Sequence, residues 1–95
     1  MTVNRHVIVR GRVQGVGFRA FVEYEATSRK LRGWVRNRRD GSVEAVLSGS
    51  EKMVEEMLDA CRKGPPGSRV DGLDVNDASP PEGAPPGQFA VLPTI

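Results

Sequence analysis

The hydrophobic pattern of this 95-residue chain changes period several times, and that alternation constrains its fold more than any other feature. Apolar and polar residues alternate, with many β-branched side chains, in four segments that predict strands: 5–13, 33–37, 42–47 and 69–75. Apolar residues recur at helical spacing in two further segments that predict helices: 20–30 and 51–63. A short apolar run at 89–92 predicts a closing strand, which Pro93 limits because proline lacks a ladder donor.

Turn signals separate these elements. Residues 14–19 form a glycine-bearing turn, and Asp40-Gly41 supplies the positive φ angles of a tight hairpin. Ser50 is a good N-cap for the second helix, and Gly64-Pro65 ends that helix. Residues 76–88 are rich in Pro, Gly and Ala, which predicts a loop.

The resulting order is β-α-β-β-α-β with a short fifth strand. This order predicts an α+β, ferredoxin-like sandwich, in which two helices cover one face of an antiparallel sheet. The length suits one domain over residues 1–95. The fold class hosts enzymes, metal carriers and RNA-binding proteins, so it does not determine the function.

Composition excludes several classes of protein. No run of roughly 18 apolar residues is present to span a membrane, and the N-terminal residues lack a signal-peptide core, so we expect a cytoplasmic protein. Cys61 and His6 are the only residues of their types, which argues against a disulfide or a zinc site. Cys61 falls on the apolar stripe of the second predicted helix, where we expect it to be a small buried side chain.

Charge is distributed unevenly. Residues 1–39 carry ten Arg and Lys against two acids, a net charge of +8, whereas residues 40–95 carry four against ten, a net charge of −6. A basic half indicates an anionic partner such as phosphate, nucleic acid or an acidic surface. A solvated basic face without a ligand explains the charge equally well.

The segment 11–19, Gly-Arg-Val-Gln-Gly-Val-Gly-Phe-Arg, leaves a predicted strand, turns through glycines and opens a helix. Such a turn aims successive backbone N–H groups into one concavity, where the helix dipole favours an anion. Arg19 lies in the first helical turn, from which a guanidinium can fork two phosphate oxygens. Two interpretations remain open: a phosphate-binding loop, or a plain strand-to-helix turn with a solvent-exposed Arg19.

Nothing near this segment supplies a protein nucleophile. No cysteine heads the loop, and a single histidine does not make a convincing Ser-His-Asp set. Carboxylates are scarce in the basic half, which disfavours a Mg²⁺ site there. If phosphoryl transfer occurs, we expect water to be the nucleophile.

Two motifs together resemble the signatures of the acylphosphatase family. Residues 11–19 are similar to the first signature, G-x-V-Q-G-V-x-F-R, and residues 33–44, Gly-Trp-Val-Arg-Asn-Arg-Arg-Asp-Gly-Ser-Val-Glu, to the second, G-W-V-x-N-x-x-D-G-x-V-E. Both match at every fixed position and in the family's spacing. The likeness covers residues 5–75 closely and the C-terminal part loosely.

The resemblance implies an enzyme that hydrolyses acyl phosphates without a metal or other cofactor. It implies that the phosphoryl group binds to Arg19 and to the backbone amides of Gly15, Val16, Gly17, Phe18 and Arg19. It also implies that Asn37 orients the attacking water. The expected partners are a small acyl phosphate and inorganic phosphate, with no nucleic acid or membrane, and we expect a monomer.

The chain departs from the family pattern where the first helix ends. The family usually has Leu-Gly-Leu before the second signature, whereas this chain has Arg29-Lys30-Leu31. Lys30 in the left-handed conformation of a helix cap would cost roughly 1 kcal/mol. We also expect Phe18 and Trp34 to fill the core, Arg38 and Arg39 to be solvated turn residues, and Gln14 to support the glycine turn.

Two rival functions remain. One is a non-catalytic binding module for RNA or another anionic partner, although RNA-binding sheets of this kind expose stacking aromatics and the strands here offer only Trp34 and Phe89. The other is an acylphosphatase-like domain of a larger carbamoyl-transfer maturation protein. The chain has no zinc-finger cysteines, so we expect a stand-alone enzyme.

Overall fold

A computed structural model describes residues 1–81 and 88–95. Within them the elements follow the order β1 (Thr2–Arg12), α1 (Phe18–Ser28), β2 (Arg32–Asn37), β3 (Val43–Ser50), α2 (Glu51–Lys63), β4 (Arg69–Asp77) and β5 (Phe89–Val91). The expected order is therefore confirmed. Of the expected loop over 76–88, residues 76 and 77 belong to β4, residues 78–81 have no regular structure, and residues 82–87 lie outside the described residues.

Several element boundaries differ from the sequence-based expectation, by up to three residues. Strand β1 begins at Thr2 rather than at residue 5, and β3 continues to Ser50 rather than ending at Leu47. Both extensions have one cause, because Thr2 and Asn4 pair with Ser50 and Ser48 and so complete the ladder between the two strands. Helix α1 covers 18–28 rather than 20–30, because it begins directly after the glycine turn.

The sheet has the strand order β4-β1-β3-β2-β5. Pairing is antiparallel among β1 to β4, as expected, whereas β5 runs parallel to β2, so that the sheet is mixed. The direction of β5 follows from where β4 stops. Strand β4 ends at the edge of the sheet where β1 and β2 begin. A strand that starts from this same edge and pairs with β2 runs parallel to it.

Both helices cover the same face of the sheet, which confirms the ferredoxin-like α+β arrangement. The core is a single cluster of buried apolar side chains. The helices contribute Phe18, Val22, Ala26, Val54, Met57, Leu58 and Cys61. The central strands contribute Val7, Val9, Val35, Val43, Ala45 and Leu47. Phe18 and Cys61 are thus core residues, as expected, and burial raises the pKa of the Cys61 thiol to about 12.

The expectation that Trp34 fills the core is wrong. Side chains alternate across a strand, and Val35 is the β2 residue that is buried against the helices. Trp34 therefore projects from the opposite, helix-free face of the sheet. There it is half-buried, and the guanidinium carbon of Arg36 lies 4.7 Å from its ring centroid. The preceding residue, Gly33, lies so close to β3 that a Cβ there would collide with the carbonyl oxygen of Val46.

The two helices are short. They contain 11 and 13 residues. In the part of the chain that the structure describes, no helix combines the length and the apolar character needed to cross a membrane.

Candidate active site

The loop that joins β1 to α1 is shaped by two glycines in the left-handed conformation. Gly15 has a φ of 74° and Gly17 a φ of 79°. A Cβ added to either glycine would meet no other atom within 4 Å. The glycines are therefore required by the backbone conformation and not by crowding, and the loop stays open on that side.

Helix α1 starts without a side-chain cap. Gly17 occupies the N-cap position, and the first helical turn contains no acidic residue. The first backbone bond runs from the amide of Phe21 to the carbonyl oxygen of Gly17, at 3.0 Å. The amides that precede Phe21 are those a helix leaves without an intrahelical acceptor, and the positive end of the helix dipole lies beside them. Both features suit an anion at this end of the helix.

Gln14 joins this loop to the β2–β3 hairpin. Its side-chain amide donates to the carbonyl oxygens of Arg38 and Ser42, at 2.7 and 2.8 Å. The hairpin is closed by Asp40, whose carboxylate accepts from the hydroxyl and the backbone amide of Ser42. These two bonds hold the pKa of Asp40 below its ordinary value. The expected supporting role of Gln14 is confirmed, and its consequence is that the end of β2 is fixed against the loop.

A cleft of about 410 Å³ lies between the loop, α1 and the ends of β2 and β5. The structure brings together in it most of the residues that the sequence singled out: Gly15, Gly17, Phe18, Arg19 and Asn37. Val16 is the exception, because its side chain packs against the core instead of lining the cleft. Arg19 is half-buried and makes no ion pair with any residue in 1–81 or 88–95. Its charge is thus available to a ligand.

Sequence reasoning missed four further residues of the cleft. They are Val13, Ala20, Glu23 and Val91. Glu23 lies four positions after Arg19 on a helix, and that spacing was a signal that both side chains share one face. Val91 left no comparable signal, because only the parallel pairing of β5 with β2 brings it to the cleft.

The described residues give no support to a metal site or to an RNA-binding surface. The described residues contain no group of three or more His, Cys, Asp and Glu side chains placed to hold a metal ion. The aromatic pair that an RNA-binding sheet would expose is also missing from the described strands, since Phe89 is buried in the core and Trp34 is stacked with Arg36. The geometry therefore gives the RNA-binding alternative no support.

Comparison with known proteins supports one family. The family model described as Acylphosphatase matches residues 5–91. An acylphosphatase of Bradyrhizobium diazoefficiens is 53% identical over 95 residues, which cover 94% of this chain and 93% of that protein. A crystal structure of the acylphosphatase from Bacillus subtilis superimposes with a TM-score of 0.86 at 42% identity, covering 97% of this chain and 99% of that one.

A longer protein contains a similar fold. The crystal structure of full-length HypF in its phosphate- and nucleotide-bound form matches 99% of this chain but 12% of its own length, with a TM-score of 0.86 and 28% identity. The chain thus matches nearly all of the Bradyrhizobium and Bacillus proteins and a small part of the third.

Proposed function

This chain belongs to the acylphosphatase family and is an acylphosphatase hydrolase, and we propose how it works: water attacks the phosphorus of an acyl phosphate directly and the carboxyl–phosphate bond breaks. The products are a carboxylate and inorganic phosphate. The observation that carries the proposal is that Arg19, the glycine loop and Asn37 line one cleft. The remaining steps of the mechanism follow from what each of these groups does chemically.

The phosphoryl group binds at the start of α1. The guanidinium of Arg19 donates two parallel N–H bonds to phosphoryl oxygens, and the amides of residues 15–19 donate to the others. Two observations support this arrangement: Arg19 has no ion pair among the described residues, and no side chain caps the helix. Because the donors are fixed before substrate arrives, little reorganisation is needed as charge moves during the reaction.

Asn37 positions the attacking water. Its side-chain oxygen accepts a hydrogen bond from the water, and its NH₂ group donates to a phosphoryl oxygen, which aligns the water with the phosphorus. The P–O bond to the acyl oxygen breaks as the bond from water forms. The leaving group is a carboxylate, so it needs no strong general acid, and a phosphoryl oxygen takes the proton of the water.

Water is the nucleophile that the lining of the cleft favours. Among the described residues that line it, none is Ser, Thr, Cys or His. Cys61 is buried in the core, and its raised pKa keeps the thiol protonated at neutral pH. The proposal contains no covalent intermediate. We further propose a cytoplasmic monomer, formed as one domain by residues 1–95, that needs no metal and whose loop also binds inorganic phosphate.

Hydrolysis of benzoyl phosphate in excess chelator tests the proposal. The wild-type protein should turn over this substrate and be inhibited by inorganic phosphate. Arg19→Ala should reduce kcat/KM by at least about a hundredfold and weaken phosphate binding, because it removes the forked cation. Arg12→Ala is the matched control, since Arg12 is exposed, lies outside the cleft and loses the same charge.

Three results would contradict the proposal. A folded wild-type protein without hydrolysis would exclude the activity. Near-normal turnover by Arg19→Ala, or an equal loss in Arg12→Ala, would exclude the assigned phosphate site.

A further inference from the structure

The cleft continues beyond the residues assigned to the phosphate. At the start of α1 it is lined by the glycine loop and Arg19, and further along the helix by Ala20 and Glu23, with Val91 contributed by β5. When the phosphoryl group occupies the loop, these three residues are the lining that is left for the rest of the substrate to contact. This inference rests on the proposed function, because it concerns the acyl end of the same substrate.

Helix geometry fixes the relation between Arg19 and Glu23. Residues four apart on an α-helix lie on one face, with Cβ atoms roughly 5–6 Å apart. Both side chains line the cleft, yet no ion pair joins them. Glu23 is therefore one helical turn beyond Arg19 along the wall of the cleft.

No described residue forms an ion pair with Glu23. Its side chain is exposed. Val91, which lines the same cleft, is an exposed apolar side chain, with 42% of its surface accessible. Beyond Arg19 the cleft thus presents both a carboxylate and an apolar surface.

From this arrangement we propose that Glu23 is a specificity-determining residue that directs the enzyme toward acyl phosphates with neutral or cationic acyl groups. An acyl group that carries its own carboxylate would place that negative charge close to Glu23. Two like charges about 5 Å apart in a partly solvated cleft repel enough to change a rate constant about four- to tenfold. A neutral acyl group of the same shape meets no such repulsion and still contacts Val91 and Ala20.

A pair of isosteric substrates measures this effect. We would compare 4-carbamoylbenzoyl phosphate with 4-carboxybenzoyl phosphate, which differ in charge but hardly in shape. The readout is the ratio of their kcat/KM values, neutral over anionic. The ratio cancels any change that affects the common phosphoryl group, including the general increase in phosphate affinity expected when a nearby carboxylate is removed.

Glu23→Gln is the test variant, and Glu55→Gln is its matched control. Glu55 is exposed on α2, makes no ion pair in the described structure and lies outside the cleft, so its substitution changes the net charge equally. We expect Glu23→Gln to reduce the ratio about four- to tenfold and Glu55→Gln to leave it within about twofold of wild type. Raising the ionic strength should reduce the ratio of the wild-type protein in the same direction.

Three outcomes would overturn the inference. In the first, the ratio does not change in Glu23→Gln. In the second, it changes as much in Glu55→Gln as in Glu23→Gln, which would show that the effect comes from net charge. In the third, turnover of both substrates is lost in Glu23→Gln, which would assign Glu23 to the chemical step instead.

A binding measurement separates this inference from the proposed activity. The stable ligands 4-carbamoylbenzylphosphonate and 4-carboxybenzylphosphonate are titrated calorimetrically into the same three proteins. If the wild-type protein hydrolyses neither substrate but Glu23→Gln reduces its preference for the neutral phosphonate, the proposed activity fails and the charge selectivity of the site stands. If hydrolysis occurs but neither readout responds to Glu23→Gln, the activity stands and the inference fails.

Discussion

At the scale of single residues, Asn37 shows how a side chain can be kept available for a ligand. Asn37 is the last residue of β2, and its carbonyl oxygen accepts from the amide of Ile95 at 3.1 Å. Its backbone is therefore fixed, while its side chain makes no hydrogen bond with the described residues and lines the cleft. A polar group that is positioned but unused suits the transient binding of water.

The first prediction concerns Asn37. Asn37→Ala should leave the Kd for inorganic phosphate within about twofold of wild type and lower kcat at least about a hundredfold, because the phosphate donors stay in place while the water loses its partner. Calorimetry with phosphate and initial rates with benzoyl phosphate measure the two effects. Asn76→Ala is the control, because Asn76 is exposed on β4 and lies outside the cleft. Weakened phosphate binding at an unchanged kcat would contradict the assigned role.

Lys30 is a second residue whose backbone decides its energetics. It has a φ of 58°, which confirms the left-handed conformation anticipated at the end of α1. Its amide donates to the carbonyl oxygen of Thr27 at 3.0 Å, and the amide of Leu31 donates to that of Ala26 at 2.9 Å. These are the two bonds of a Schellman motif, in which glycine is the preferred residue at the position of Lys30.

The second prediction follows from that conformation. Lys30→Gly should raise the free energy of unfolding by about 0.5–1 kcal/mol, because relief of the left-handed backbone exceeds the added freedom of glycine in the unfolded chain. Urea denaturation measures the change. Lys30→Ala removes the same side chain but keeps a Cβ, so it should bring no comparable gain. Equal stabilities of the two variants would show that the backbone conformation is not the cause.

At the scale of elements, the two helices begin in opposite ways. Helix α2 starts with Ser50, whose hydroxyl accepts from the amide of Met53 at 3.2 Å, and Glu51 follows in the first turn. Helix α1 starts with Gly17 and has neither a side-chain cap nor an acidic first turn. Helix α2 thus supplies a side-chain acceptor for one of its first amides, whereas α1 offers none, which suits the binding of an anion.

The third prediction tests this contrast. Ser50→Ala should lower the free energy of unfolding by about 1 kcal/mol, and Ser50→Asp should keep most of it, because aspartate also accepts at an N-cap. Neither change should alter kcat/KM, since Ser50 lies outside the cleft. Thermal unfolding and benzoyl phosphate hydrolysis supply the measurements. Unchanged stability in Ser50→Ala would show that the serine cap contributes nothing.

At the scale of the whole molecule, the helix-free face of the sheet carries a charged network that joins three strands. Glu44 of β3 bonds to His6 of β1 at 2.6 Å and to Arg36 of β2 at 2.7 Å. Its side chain is only 8% exposed. Burial alone would raise the pKa of Glu44, but the hydrogen bonds from His6 and Arg36 outweigh burial and lower it.

The fourth prediction is a loss of stability in acid. Because the pKa of Glu44 is lower in the folded than in the unfolded protein, its contribution is complete above the ordinary value of 4.5 and is lost as the pH falls below it. The free energy of unfolding, measured in urea between pH 7 and pH 3, should therefore fall toward the acid end. Glu44→Gln should be less stable at pH 7 and show a shallower decrease. An identical decrease in both proteins would exclude Glu44 as a source.

Much of this molecule could be predicted from short segments of sequence. The order of the elements, the hairpin at Asp40-Gly41 and the limits of α2 depend on hydrophobic period, turn residues and capping, all of which act within a few residues. The left-handed position of Lys30 was anticipated from the glycine that the resembled family usually has there, although the helix was expected to continue to residue 30. Arg19 and Asn37 lie within two long, correctly spaced motifs, and the structure places both of them in one cleft.

Only the tertiary structure decided how these pieces meet. The cleft exists because Gln14 binds the hairpin to the loop and because β5 runs parallel to β2, and both depend on contacts between residues that are distant in sequence. Trp34 was misplaced because its size suggested burial, whereas side chains alternate along β2 and its neighbour Val35 is the one buried in the core. Glu23 and Val91 also line the cleft because of how α1 and β5 pack, and not because of a sequence motif. Local sequence determines which elements form, because their causes are local, but which side chains share a cleft depends on how distant strands and helices pack.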